Sequence, residues 1–459
     1  MATIKLRTDE RVSADADVVA TEPVHVEGLP ILGSLLPIRR NALGFFSRML
    51  REHGDRVQLR VLGRKVLLLC HPDDIEEVLV RDRDSFGRSA EIRRLRPIFG
   101  NGLLASDGAF WRRQRNIVQP SFQHNAMTDY ASIMLECISK QLSEWRIGEV
   151  RDIHADMMRY TRETICSVLF GSEFAANNLE ITSAVSVVFG DLRAEILYLP
   201  IWRRLPFARS IRWNRAVKLL NRSIRTIIAE RRSCAEASHD LLGSLLSAYD
   251  SDGYTMSDEQ LHDEILTLFL AGHETAALSL TWAVYLVAMH PEFQERAAEE
   301  VFTVTTGGDV RAEHYPHLRF VAAVVKEALR LYPPVWSLGR VATKDSALGS
   351  LPVVKGTDIW LCLHRLHRDP RWYSEPERFR PERWLGNQAQ RRFTYVPFGI
   401  GPRVCIGQHF AMAEIVLGLA SMLSRFSFSP TSSVPAEVNA WISLRPKKSI
   451  ELRLQQRNR

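Results

Sequence analysis

One cysteine, Cys405, lies in the stretch FGIGPRVCIG (residues 398–407), with glycines at 399, 401 and 407 and the apolar run HFAMAEIVLGLASMLSRF close behind it. A thiol placed just before a helix meets unpaired backbone N–H groups and the positive end of the helix dipole, and both favour thiolate. Glycines let N–H groups approach the sulfur without Cβ obstruction. Such a sulfur can serve as a nucleophile, a redox sensor or an axial metal ligand, the alternative being a buried structural thiol. The GIG start does not make a dinucleotide fingerprint, because the third glycine position is Val404 and no βαβ pattern surrounds it. A cysteine hydrolase needs a histidine base in reach, and His409 lies too close along the chain to decide that role.

Three further polar groups interrupt apolar segments. His273, Glu274 and Thr275 stand in the middle of ILTLFLAGHETAALSLTWAVYLVAM, where an acid makes a membrane span expensive and a long core helix the better reading. Thr275 can turn its hydroxyl back to the carbonyl of Ala271 and loosen the local ladder. Glu327 and Arg330, in KEALR, lie three apart in an amphipathic helix, although the same ExxR spacing also occurs at Glu91, Glu375 and Glu377. Trp111 and Arg115 form a WxxxR pattern that recurs at Trp336/Arg340 and Trp441/Arg445, so spacing alone does not choose among them.

The elements that must position these residues are mostly helical. RVQLRVLGRKVLLLC (56–70) alternates, turns near Gly63 and predicts a β-hairpin. Ser257 and Gln260 form a capping-box pattern, and the helix they open runs to Pro291, about 33 residues and ~50 Å. FVAAVVKEALRLYPP is a helix stopped by prolines, with β-like pieces after it around 339–363. The expected fold is mainly α with small β-sheets. With 459 residues, 46% hydrophobic and 25% charged, and no linker or repeat, the chain reads as a polar tail over 1–25 and one large domain over 26–459. The six scattered cysteines suit neither a disulfide framework nor a zinc site. The net charge of +7 is spread along the chain without a nucleic-acid-binding signature.

Phe398, Gly401, Arg403, Cys405 and Gly407 match the FxxGxRxCxG signature of the cytochromes P-450, and the chain resembles that haem-thiolate monooxygenase family from about residue 27 to 453. KEALR resembles the family's ExxR pair. PERFRPERW (376–384) resembles its PxxFxPxRF stretch, with Trp384 replacing the terminal Phe, and AGHETA (271–276) resembles its AGxET motif. The resemblance implies a cytochrome P-450 domain with haem b between the long central helix and the helix behind the Cys loop, and Cys405 thiolate as axial ligand. It implies a buried triad of Glu327, Arg330 and Arg383, whose partners in low dielectric are costly to separate. It puts Thr275 and Glu274 in proton delivery to dioxygen and Ala271 against the macrocycle. Phe398 and Gly407 belong to the cofactor loop, and Trp111, Arg115, Arg340 and Arg403 face the haem propionates, with a surface role as the alternative for Arg340.

By family position, segments 96–104, 196–207, 333–338 and 439–444 line the pocket, so an apolar substrate, a terpenoid, fatty acid or polyketide, is expected to touch Leu103, Ala271, Val335 or Trp336. Electrons are expected from a ferredoxin and its reductase, docking on a basic surface of Arg112, Arg113, Arg391 and Arg392. The resemblance further suggests a bacterial, cytoplasmic monomer of secondary metabolism, without membrane anchor or nucleic-acid partner. Two other readings stay open: a haem protein that does not hydroxylate, such as a sensor or carrier, and a peroxide-driven or isomerising haem-thiolate enzyme.

Overall fold

Alternation decides the first sheet. Val57 and Leu59 point inward and are fully buried, so Arg56–Val61 (β2) can pair only with its apolar face on the core. It pairs antiparallel with Arg64–Leu69 (β3), and the two turn residues, Leu62 and Gly63, both take positive φ, as a tight hairpin of matching twist needs. The computed structural model describes residues 22–171, 184, 187–188, 208–233, 240–386, 391–440 and 442–457. The tail expected over 1–25 therefore falls mostly outside the described residues.

Around this hairpin a six-stranded sheet assembles. Val24–His25 (β1) lies parallel to β2, and β3 pairs in parallel with Asp358–Leu361 (β6). Strand β6 carries Leu338–Ala342 (β5) antiparallel, and β5 carries the three-residue strand Phe86–Arg88 (β4), giving the order β1-β2-β3-β6-β5-β4. The register of the last pair sets Arg88 directly opposite Arg340.

Helices fill the rest. Gly108–Val118 (α1) carries Trp111 and Arg115, and Ile153–Phe170 (α2) begins at Asp152, whose carboxylate caps His154 and Ala155 N–H. The long helix, Asp258–Met289 (α3), starts at Ser257, whose hydroxyl accepts from Gln260 N–H at 3.2 Å. The return half of the expected capping box is not made, because the Gln260 amide donates to Glu264 at 2.7 Å instead. From Gln260 to Ala288 every residue of α3 is buried except Asp263, Ala271, Gly272 and Thr275. Helix Arg319–Leu331 (α4) ends before Pro333 and Pro334, and Gln408–Arg425 (α5) follows the Cys loop.

The core has three parts. One joins α4 and α5 to the C-terminal half of α3, with Trp282 stacked on Tyr332 at 4.1 Å. A second packs α1 and α2 on the N-terminal half of α3, and a third lies on the six-stranded sheet. Among the described residues no helix is long and apolar enough to cross a membrane. The mainly α architecture with small sheets is the one expected.

Candidate active site

The Cys405 loop closes on itself before it meets α5. Cys405 N–H donates to the Phe398 carbonyl at 2.9 Å and Val404 N–H to the Gly401 carbonyl at 3.0 Å. Gly399 and Gly401 hold φ of 71° and 73°, a region costly for side chains. A Cβ on Gly401 would stand 2.2 Å from the Leu79 carbonyl oxygen, so this glycine lets the loop press on segment 77–81. Gly407 is the glycine whose N–H favours the charged form of the sulfur. Of the three loop glycines, two shape and pack the turn, and one bears on the sulfur.

Three influences act on the charge of the sulfur. Burial pushes the Cys405 thiol up, while Gly407 N–H and the Arg115 guanidinium pull it down, and burial wins. Protein atoms surround the sulfur closely enough for that, yet Cys405 has exposed surface. Both hold when a sulfur borders an enclosed space. Ala271 shows the same signature, exposed in the middle of a buried helix. Ile406, next to Cys405, packs in the same cluster as Leu270, next to Ala271, so the Cys loop and this part of α3 share one neighbourhood.

Cations gather at one side. Arg403 lies over the Trp111 ring at 4.1 Å and donates to Asp107 at 2.5 Å and to the Ser106 carbonyl at 3.1 Å. Arg340 is buried, which rules out the surface alternative, and donates to the Gly339 carbonyl at 2.9 Å. Arg88, opposite it, donates to the Leu103 carbonyl at 3.2 Å, and its buried Nε has no partner among the described residues. Burial and the neighbouring guanidiniums push Arg88 well below the usual arginine range and Arg340 down to about 10. Three guanidiniums around the single carboxylate of Asp107 leave room for anionic groups, and the two propionates of a haem fit that excess. Arg115 is placed otherwise: it donates to the Val404 carbonyl at 3.0 Å, beside the Cys loop. Sequence reasoning missed Arg88, whose only signal is strand register.

On α3 the Thr275 hydroxyl donates to the Ala271 carbonyl at 2.8 Å. Glu274 points elsewhere. Its buried carboxylate accepts from Ser443 Oγ at 2.5 Å and Arg445 Nε at 2.6 Å, both next to or on the hairpin Val438–Ala440 (β7) and Leu444–Pro446 (β8). Arg445, from the third WxxxR pattern, thus serves an acid. His273 is buried and pushed down to about 3, chiefly by burial, and is neutral.

Glu327 binds five donors. Arg330 Nη2, Arg383 Nε and Arg380 N–H reach Oε1 at 2.8, 2.9 and 3.0 Å, while Arg330 Nε and Trp384 Nε1 both reach Oε2 at 2.9 Å. Arg330, itself fully buried, also donates to the carbonyls of His367, Pro376 and Arg378. Trp384, where the signature has Phe, adds the fifth donor.

The expected pocket residues divide. Leu103 is buried in the α1–α3 cluster, and Val335 is half-buried. Trp336 packs against Phe46 at 5.7 Å in the sheet core, a place that its sequence context allowed equally with a pocket wall. Segment 196–207 and Trp441 lie outside the described residues. Of the docking arginines, Arg112 is exposed and lies 3.7 Å from Asp84, whereas Arg113 faces Asp250 at 3.2 Å and Arg391 faces Asp73 at 3.0 Å. Arg392 covers the Phe393 ring.

A family model described as Cytochrome P450 matches residues 23–454. Among curated proteins, cyclooctatin synthase of Streptomyces melanosporofaciens is 36% identical over 411 residues, 88% of this chain and 89% of that protein. Pentalenene oxygenase of Streptomyces avermitilis is 30% identical over 429 residues, 93% and 95% of the two chains. Cyclooctat-9-en-7-ol 5-monooxygenase of Streptomyces melanosporofaciens is 32% identical over 412 residues, 88% of each.

Proposed function

This chain belongs to the cytochrome P450 family of haem-thiolate monooxygenases, and from that premise we propose that it oxygenates a terpenoid-like, largely hydrocarbon substrate. The observation that carries the reading is the exposed surface of Cys405 together with the break in burial at Ala271, Gly272 and Thr275 in the middle of α3. The substrate class is supported by the relatives' names, which print an alkene and an alkenol.

In this reading the cofactor is haem b, which when bound supplies the dioxygen and electron chemistry, tuned by electron donation from its thiolate. Cys405 would hold it from one side, with Gly407 N–H on the sulfur. Arg88, Arg340 and Arg403 would take its propionates, and Ala271 leaves room above it. Thr275 keeps its hydroxyl proton on the Ala271 carbonyl, so its lone pairs accept a proton-bearing water in the cavity. Glu274, held by Ser443 and by the 35% exposed Arg445, lies one residue from Thr275 at the solvent side and would exchange protons with water there. The apolar flank around Leu103 excludes bulk water.

Oxygen and redox partners follow from the family. A ferredoxin and its reductase as the donors, with Arg112 central to docking, and a cytoplasmic monomer complete the proposal. The test is product formation from a panel of polycyclic hydrocarbons with a surrogate ferredoxin, its reductase and dioxygen. Turnover with peroxide alone, or none with reductant, overturns it. In parallel, Cys405→Ser should abolish the strongly red-shifted absorption band of the reduced carbon monoxide complex.

A further inference from the structure

Segment 100–106 crosses α3 unusually closely. Gly100 has φ of 53°, and a Cβ there would stand 2.0 Å from Asp263 Oδ1. A Cβ on Gly102 would stand 2.2 Å from Thr267 Oγ1 and 2.6 Å from the Asp263 carbonyl. Two glycines therefore bring this strap's backbone onto the helix, where carboxylates receive it. Asn101 N–H donates to Asp263 at 2.6 Å, and Leu103 N–H donates to Glu264 Oε2 at 2.9 Å. Glu264 is fully buried and its other oxygen is held by Gln260, so the carboxylate cannot swing away. The carbonyl of the same Leu103 is gripped by Arg88, and the Ser106 carbonyl by Arg403. A buried acid on the long helix is an expensive way to satisfy one amide, since an apolar side chain would cost less desolvation.

We infer that Glu264 is a positioning residue that latches the 100–106 strap to α3 and so fixes Leu103 as one wall of the substrate cavity. The strap is tied at Leu103 from both sides, by Glu264 to the helix and by Arg88 to the cationic cluster, so it cannot lift at that point without breaking one of them. The claim about the cavity rests on the monooxygenase reading; the latch itself does not.

The experiment measures amide hydrogen exchange across 100–104 in the haem-loaded protein, together with the association rate of 4-phenylimidazole. Glu264→Ala should speed exchange at Leu103 about 10- to 100-fold, as expected when a buried N–H loses its acceptor. Glu264→Gln retains an acceptor oxygen and should stay close to wild type. Gly102→Ala pushes the strap off from its own side, with Glu264 intact, and should reproduce the alanine variant. Azole association should rise severalfold in Glu264→Ala and Gly102→Ala, and not in Glu264→Gln. Unchanged Leu103 exchange in both Glu264→Ala and Gly102→Ala overturns the latch. Faster exchange with unchanged azole entry overturns the cavity-wall role. A wild-type protein that gives no azole spectrum defeats the monooxygenase reading instead, and exchange still judges the latch.

Discussion

Replacing Glu327 by Gln keeps shape and volume and removes one charge. Every group around this carboxylate is a donor: three reach Oε1 and two reach Oε2. However the new amide is turned, its NH2 faces at least two N–H groups and accepts from none of them. Arg330, fully buried, is left with carbonyl partners but no counter-charge. Breaking a buried ionic set by removing one partner costs about 3 to 5 kcal/mol. Trp384→Phe is the internal comparison. It deletes one donor of five, keeps most of the ring contact with Tyr395, and should cost about 1.5 kcal/mol, the low end for a hydrogen bond to a charged group. Urea unfolding of the haem-loaded protein, followed by far-UV circular dichroism, measures both. A Glu327→Gln cost below about 1 kcal/mol, or one no larger than that of Trp384→Phe, would refute the view that the carboxylate's charge organises this cluster.

Thr275→Ala should keep haem binding and divert reducing equivalents into peroxide; a product-to-NADPH ratio equal to wild type removes Thr275 from proton delivery. Glu264 is held up at about 7 by burial, above its ordinary 4.5, so folding favours its neutral form. Its contribution to stability is therefore complete below about pH 4.5 and lost as pH rises through about 7. Unfolding free energies of Glu264→Gln relative to wild type should consequently improve by about 2 kcal/mol between pH 5 and 8, and a flat difference would show that Glu264 titrates normally. Gly401→Ala must either strain a left-handed φ or push the loop off Leu79, and should lower haem retention during gel filtration. Retention equal to wild type would mean the loop shifts freely.

Short contiguous patterns were legible. The Cys loop, the 56–69 hairpin, the cap of the long helix and the Glu327–Arg330 pair each follow from residues whose geometry is fixed locally. The rest depended on contacts between distant segments. Arg88 acquires meaning only when β4 registers on β5, and nothing in FGR announces that. Glu274 lies beside Thr275 in sequence, but a helix turns successive side chains apart by about 100°, so one shares the open face with Ala271 and the other meets Arg445, 171 residues away. Trp336 stayed open because an aromatic after two prolines suits a pocket wall and a sheet core equally.

The pairing of Arg88 with Arg340 also bears on how the molecule assembles. Like charges directly opposite on neighbouring strands repel, and β4 offers only three residues of pairing to hold against that repulsion. The strand is held all the same by the buried Phe86 and by Arg88 N–H on Asp107, whose carboxylate offsets part of the repulsion. By mass action, an anion bound between the two guanidiniums would strengthen the strand pairing, and the pairing would strengthen the hold on the anion.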